Sequence, residues 1–322
     1  MGVPDHHSTQ APSRDTLAEQ MTQLLADWGA DSAESLRGPV EALLVQFDDR
    51  ALAQLGERAV ATGADWGYHP PDPVARSISR AMMRRVLEPG SGLENGAALE
   101  AARSSRVLLL GNHLSFVDVN VLDQLMAEAG YGDVAERITA LVGPKVFASP
   151  IRRLASLCFG TIKLAQSASR ASGEALMRPR EVARLAIATI RTTQQRQSEG
   201  DHVLVFPEGS RSRSARLERC LAAVARYLET PDTVVIPWGH TGSERLMPLG
   251  ADRVQSATVR VRIGTPLPAA RLLEACSGHR QLVMDVVGFL IAEALPEEYR
   301  GLYARAEGEL AEAHGIARGL LG

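Results

Sequence analysis

The chain has 322 residues, 45% of them apolar, enough to bury a large core as one large domain or two unequal ones. A net charge of -3 lacks the broad basic excess that nucleic-acid binding requires. Cys158, Cys220 and Cys276 are an odd number at wide, motif-free spacings, which argues against a disulfide framework or a zinc site and for a reducing cytoplasm.

Residues 1–13 are polar, carry Pro4, His6, His7 and Pro12, and contain no apolar run that would serve secretion, so they read as a disordered tail. Met1-Gly2 is not followed by Ser or Thr at position 6, so the myristoylation pattern is not met. Residues 14–90 read as a helical subdomain: Leu17, Met21, Leu24, Leu25 and Trp28 recur at steps of three and four, as do Val40, Leu43, Leu44 and Phe47. Residues 63–73, with Trp66, Tyr68 and Pro70-Pro71, read as a loop, and 74–87 as a helix ended by Pro89-Gly90.

From 91 to 322 short apolar runs alternate with longer helical patterns, the signature of an α/β domain with a mostly parallel or mixed central sheet flanked by helices. Strands are expected near 106–110, 138–142, 158–164, 202–206, 233–237 and 257–263. Helices are expected near 116–129, 151–157, 174–198, 215–229, 279–295 and 297–315. The most apolar window, 282–295, is short and broken by Asp285 and Glu293, so no bilayer crossing is expected. A cytoplasmic protein, soluble or peripherally membrane-associated, fits this pattern.

Two motifs about ninety residues apart stand out, each directly after an apolar run. The first is Asn112-His113-Leu114-Ser115-Phe116-Val117-Asp118, after Val107-Leu108-Leu109-Leu110. Two residues five apart on one helix point about 140 degrees away from each other. The spacing therefore needs a break, and Ser115, in the S-x-x-D form of a capping box, is the expected N-cap. A carboxylate on one imidazole nitrogen fixes the tautomer and stabilises the imidazolium formed at the other, which makes His113 a general base and Asp118 its support. G-x-S-x-G is absent, so the base would activate a substrate hydroxyl or amine rather than a protein nucleophile.

The second motif is Phe206-Pro207-Glu208-Gly209-Ser210-Arg211-Ser212-Arg213, after Val203-Leu204-Val205. Gly209 permits a sharp turn, Arg211 and Arg213 offer forked donors for phosphate or carboxylate, and Ser210 adds a hydroxyl. A helix starting near Ala215 would add its N-terminal dipole. Taken singly, the strings also fit a structural histidine and a solvated loop. Their order, and their placement beyond buried strands where open α/β sheets put ligands, is what gives them meaning.

With Val234-Val235-Ile236-Pro237-Trp238-Gly239 as a later proline block, these residues resemble the glycerolipid acyltransferase family, which includes glycerol-3-phosphate and lysophosphatidate acyltransferases. The resemblance covers about residues 105–265, and the helical segment before the α/β core is similar to the soluble, plastid-type glycerol-3-phosphate acyltransferases. It implies an α/β acyltransferase domain over 91–322 and transfer from acyl-CoA or acyl carrier protein to the hydroxyl of glycerol-3-phosphate or lysophosphatidate. It assigns His113 and Asp118 as the catalytic pair and Glu208, Gly209, Ser210, Arg211 and Arg213 as acceptor-binding residues. It requires no cofactor and no metal. Lys145, Pro150 and Gly160 are recognisable in the family's second block, and Lys145 and Lys163 are further candidate binding residues.

That block departs from the family where Gln166, Ser167, Ala168 and Ser169 replace expected basic residues, with Lys163 or Arg170 as candidate compensation. The departure keeps open the same chemistry on a non-phosphorylated or carrier-bound hydroxyl or amine. A non-catalytic lipid or carrier-binding module and a thioester hydrolase are the other readings. Arg152 and Arg153, with the two lysines, form either a basic docking surface or an ordinary solvated face. His240 is a further candidate for the acceptor pocket.

Overall fold

The computed structural model describes residues 13–29, 31–165, 178–251 and 253–322. The chain opens with α1 (Arg14–Trp28), α2 (Ala33–Leu44), α3 (Asp49–Ala64), the two-residue strand β1 (Tyr68–His69) and α4 (Pro73–Val86). Each of these helices has a side-chain cap: Ser13, Ser32, Asp48 and Asp72 accept the amide of Thr16, of Ser35, of Ala51, and of both Val74 and Ala75. Such caps satisfy amides that have no intrahelical partner. β1 lies in the expected loop; two residues carry no alternation that would reveal a strand.

Next come β2 (Gly92–Glu94), α5 (Glu100–Ser104), β3 (Arg106–Gly111), α6 (Asp118–Glu128), α7 (Gly132–Ala135), β4 (Ile138–Val142), α8 (Pro150–Ser156), β5 (Gly160–Lys163), α9 (Pro179–Ser198) and β6 (His202–Val205). The chain finishes with β7 (Thr233–Thr241), α10 (Ser243–Leu246), β8 (Arg260–Ile263), β9 (Leu267–Pro268), α11 (Ala269–Ala275), α12 (Arg280–Glu293) and α13 (Ala311–Leu321).

The sheet runs β1-β5-β4-β6-β3-β7-β8-β2. β5, β4, β6, β3 and β7 are mutually parallel, so their carboxyl ends share one edge. Along β3, Val107 and Leu109 join one apolar cluster and Leu108 and Leu110 the other, as period-two side chains must when both faces are covered. Residues of α1–α4, α6 and α8 fill the first cluster, and those of α11–α13 and the 222–229 turn fill the second. The N-terminal helices thus share a core with the sheet, and β1 extends its edge against β5.

β7 runs to Thr241, four residues beyond its expected end, because it changes partner. Val234 and Val235 pair with β9, and residues from Trp238 to Thr241 pair with β8. Pro237, which has no N–H, sits at that changeover, and its carbonyl accepts from Gly264. The β8 strand begins only at Arg260, with Ala257 forming an isolated bridge to Leu87.

Two expected helices are corrected. Over 215–221 there is no helix: Ala215 has φ 59°, and the Leu217, Glu218 and Leu221 amides bond Tyr299 O, Glu208 Oε2 and Pro207 O. Only 222–229 coils, as a 3-10 helix. Over 297–315, short 3-10 turns separated by Gly301 (φ 52°) and Gly308 (φ 57°) precede α13.

The apolar window at 282–295 forms α12, a core helix whose buried Asp285 is held by Arg219, Gln281 and Tyr303. Among the described residues no helix is long and apolar enough to cross a membrane. Cys158, Cys220 and Cys276 are buried thiols. The second-block residues Gln166 to Arg170 lie outside the described residues.

Candidate active site

β3 ends at Gly111, opposite Trp238 of β7. A Cβ at Gly111 would lie 2.3 Å from the Trp238 ring, so only glycine lets the two strands close here. Beyond it the Asn112 side chain continues the ladder: its amide donates to His240 O at 2.9 Å, and its oxygen accepts His240 N–H at 2.9 Å. The backbone then turns out of the sheet and presents His113.

Asp118, the first residue of α6, is buried and gathers donors from all sides. It accepts His113 Nδ1 at 2.9 Å, Ser243 Oγ at 2.7 Å, and the amides of Leu114 and Ser115 at 2.8 and 3.0 Å. His240 Nε2 lies 3.0 Å from its other oxygen. Burial alone would raise the Asp118 carboxyl, but His240 and His113 hold it well below the usual carboxylate range. The site therefore keeps a permanent negative charge beneath the imidazole.

The expected capping box forms in half. Asp118 reaches back to the Ser115 amide, but Ser115 Oγ accepts Val117 N–H and the helix starts at Asp118. A turn at 115–117 supplies the break that the spacing demanded.

The two motifs dock through the main chain of His113. Glu208 Oε1 accepts His113 N–H at 2.7 Å, and Ser212 N–H donates to His113 O at 2.8 Å. Glu208 Oε2 accepts the Glu218 amide, so both carboxylate oxygens bind backbone. Burial pushes Glu208 up to about 8, against those amides and with help from nearby negative charge. Phe206 stacks on the His113 ring, centroids 4.1 Å apart and planes within 10°. The imidazole is pinned at Nδ1 and on one face, and its side chain is 17% exposed. Burial lowers the His113 basicity, Asp118 raises it, and Arg211 and His240 lower it; the net direction is down.

Gly209 turns with φ 72°, the left-handed region that glycine permits. After it, Ser210 and Arg213 are exposed, and Arg211 lies half-buried over the Phe116 ring at 3.7 Å. The helix dipole expected at Ala215 is absent, because no helix starts there. Lys145 is exposed. Lys163 is buried between Trp66 and Phe147 on β5, which β4 and β6 separate from β3. The structure thus brings together His113, Asp118, Glu208 and Arg211, leaves Gly209, Ser210 and Arg213 on the same loop at the surface, and sets Lys145 and Lys163 on other strands' ends.

Sequence reasoning gave no role to Ser243 and placed Arg152 on a surface. Ser243 opens α10 just past β7, and Arg152 of α8 stacks over Phe116 at 4.2 Å. His240 shares a β7 face with Trp238 and stacks on it, centroids 4.9 Å apart. Continuing the β7 alternation past Pro237 would have revealed it. Among the described residues no group of His, Cys, Asp and Glu is arranged to hold a metal ion.

The carboxyl edge of the parallel sheet, where open α/β sheets put their ligands, thus carries a carboxylate-held imidazole beside an arginine loop. Residues 93–241, which contain both motifs, match the family model described as Acyltransferase. These residues form an acyltransferase domain, and the chain is an acyltransferase. Among solved structures it is similar to the 1-acyl-sn-glycerophosphate (LPA) acyltransferase PlsC from Thermotoga maritima, at 14% identity and TM-score 0.48 over 85% of this chain and 91% of that one. A search of curated proteins found no match.

Proposed function

We propose that this chain moves an acyl group from an acyl thioester, carried by coenzyme A or acyl carrier protein in the cytoplasm, to the hydroxyl of glycerol-3-phosphate or lysophosphatidate, with His113 as general base. The acceptor hydroxyl gives its proton to His113 Nε2 as its oxygen attacks the thioester carbonyl. The carbon–sulfur bond breaks, and the departing thiolate takes the proton back from the imidazolium. Asp118 stabilises that imidazolium through Nδ1. A thiolate leaves readily, so no strong acid is needed. Arg211 supplies charge for the acceptor's phosphate.

The observation that carries this reading is the 2.9 Å contact between His113 Nδ1 and a buried, permanently ionised Asp118, which leaves Nε2 as the proton acceptor. The lowered His113 basicity keeps the ring neutral, and so competent, near pH 7. The test is transfer by the purified protein from acyl-CoA and acyl carrier protein to each acceptor, with products identified by mass. His113→Ala should keep its fold and lose roughly 10²–10⁴-fold in rate. Unchanged rates in that variant would end the proposal, and free fatty acid as the product would reassign the site to hydrolysis.

A further inference from the structure

Ser243, Glu244 and Tyr299 all lie beyond residues 93–241, which the family model matches, yet they form one connected support under Asp118. β7 ends at Thr241, Gly242 turns with φ 94°, and α10 opens on Ser243. The Ser243 hydroxyl donates to Asp118 Oδ1 at 2.7 Å, while Oδ2 faces His113 Nδ1 at 2.9 Å. Both Ser243 and Asp118 are buried, where a hydrogen bond to a charged group is stronger than in water. A donor on Oδ1 fixes the rotation of the carboxylate, so that Oδ2 stays aimed at the imidazole. It also draws charge away from Oδ2 and so limits how strongly Asp118 raises the basicity of His113.

The corner that carries Ser243 has its own anchor. Glu244 Oε2 accepts the Gly242 amide at 2.9 Å, and Glu244 Oε1 accepts the Tyr299 hydroxyl at 2.7 Å. Arg245, which is exposed, lies 3.5 Å from the same Oε1. Burial first, and Glu244 second, push the Tyr299 phenol up to about 12, so it keeps the proton that it donates. Tyr299 is itself fixed through its backbone: its carbonyl accepts the Leu217 amide at 2.8 Å, and its amide donates to Pro296 O at 3.0 Å. A line of contacts therefore runs from Tyr299 through Glu244 and the Gly242-Ser243 peptide to the carboxylate that holds His113.

We propose that Ser243 is a positioning residue for the Asp118–His113 pair, and that Tyr299 sets Ser243 in place through Glu244. The proposal rests on the acyl-transfer reading above for its kinetic arm.

The test is the titration of the His113 ring in the free, full-length protein, followed by NMR on isotope-labelled histidine and assigned by the signal lost in His113→Ala. It uses no substrate, so failure of the base reading shows separately, as unchanged transfer in His113→Ala. Besides Asp118, the charged or titratable groups facing this histidine are Arg211, His240 and, at its main chain, Glu208, and the variants keep all of them. Ser243→Ala leaves more of the Asp118 charge to His113, so the ring should titrate at higher pH than in the wild type. Tyr299→Phe keeps the aromatic ring and both backbone bonds, hence the fold, and should move the titration the same way by less. In the double variant the Tyr299→Phe effect should vanish, because it acts through Ser243. With acyl-CoA and glycerol-3-phosphate, Ser243→Ala should lose about tenfold in kcat and keep its KM. A wild-type His113 titration in folded Ser243→Ala, or an unchanged kcat there, would overturn the role of Ser243. Effects of Tyr299→Phe that add to those of Ser243→Ala would overturn the link to Tyr299.

Discussion

Glu208 accepts the backbone N–H of His113 at 2.7 Å, so this carboxylate of the second motif holds the first by its main chain, while Phe206 stacks on the imidazole. With its other oxygen on the Glu218 amide, the carboxylate acts as a positioning group. Its burial has a measurable signature. The folded state binds the Glu208 proton with a pKa of about 8, against 4.5 for an ordinary glutamate, so between those values the native protein holds more proton than the unfolded chain. Stability therefore falls as pH rises from about 4.5 to about 8 and then levels. Glu208→Gln mimics the protonated side chain, with one acceptor and one donor, so it should unfold much like the wild type at low pH while showing a shallower decline over that window. Denaturant unfolding of both proteins across this range checks it. An identical slope would show that Glu208 does not titrate there.

His113 and His240 meet on one carboxylate, and the pH profile of kcat/KM should show the influence of His240 on His113. With His113 as the proposed base, the rate should rise with pH through its pKa, which burial sets below the ordinary imidazole value, and level off above it. His240 adds to that lowering. His240→Phe keeps a flat ring against Trp238 but withdraws the second imidazole from Asp118, so the acid limb should move to higher pH. A wild-type midpoint above 6.5, or a limb unmoved in the variant, would contradict this coupling.

Gly111 is the point of closest approach between β3 and β7. Trp238 is fully buried, so its ring has no room to retreat from a methyl group 2.3 Å away. Gly111→Ala should cost about 1–3 kcal/mol and depress activity by tilting the turn that carries His113. Chemical denaturation measures the first effect; a loss under about 0.5 kcal/mol would mean that the strands can part.

Much of the sheet was legible because its strands are buried on both faces and read as unbroken apolar runs, as in Val107 to Leu110 and Val203 to Val205. The His113–Asp118 spacing demanded a turn, and the chain supplies one at 115–117. The segment from Ala215 to Leu221 misled because its residues have helical propensity while its amides are claimed by Tyr299, Glu208 and Pro207, partners far away in sequence. Glu208 read as a ligand contact because a carboxylate on a glycine turn looks the same in sequence whether it faces solvent or a backbone amide. Arg152 could not be placed, since only tertiary packing brings α8 onto Phe116.

The amide of Asn112 grips both main-chain polar groups of His240, and so rivets the His113 loop to the neighbouring strand. Loop and strand are thereby tied together beside the point where both histidines meet Asp118. An Asn112→Asp exchange would set a carboxylate against a carbonyl at this rivet, and would loosen the placement of His113 without altering its imidazole or Asp118.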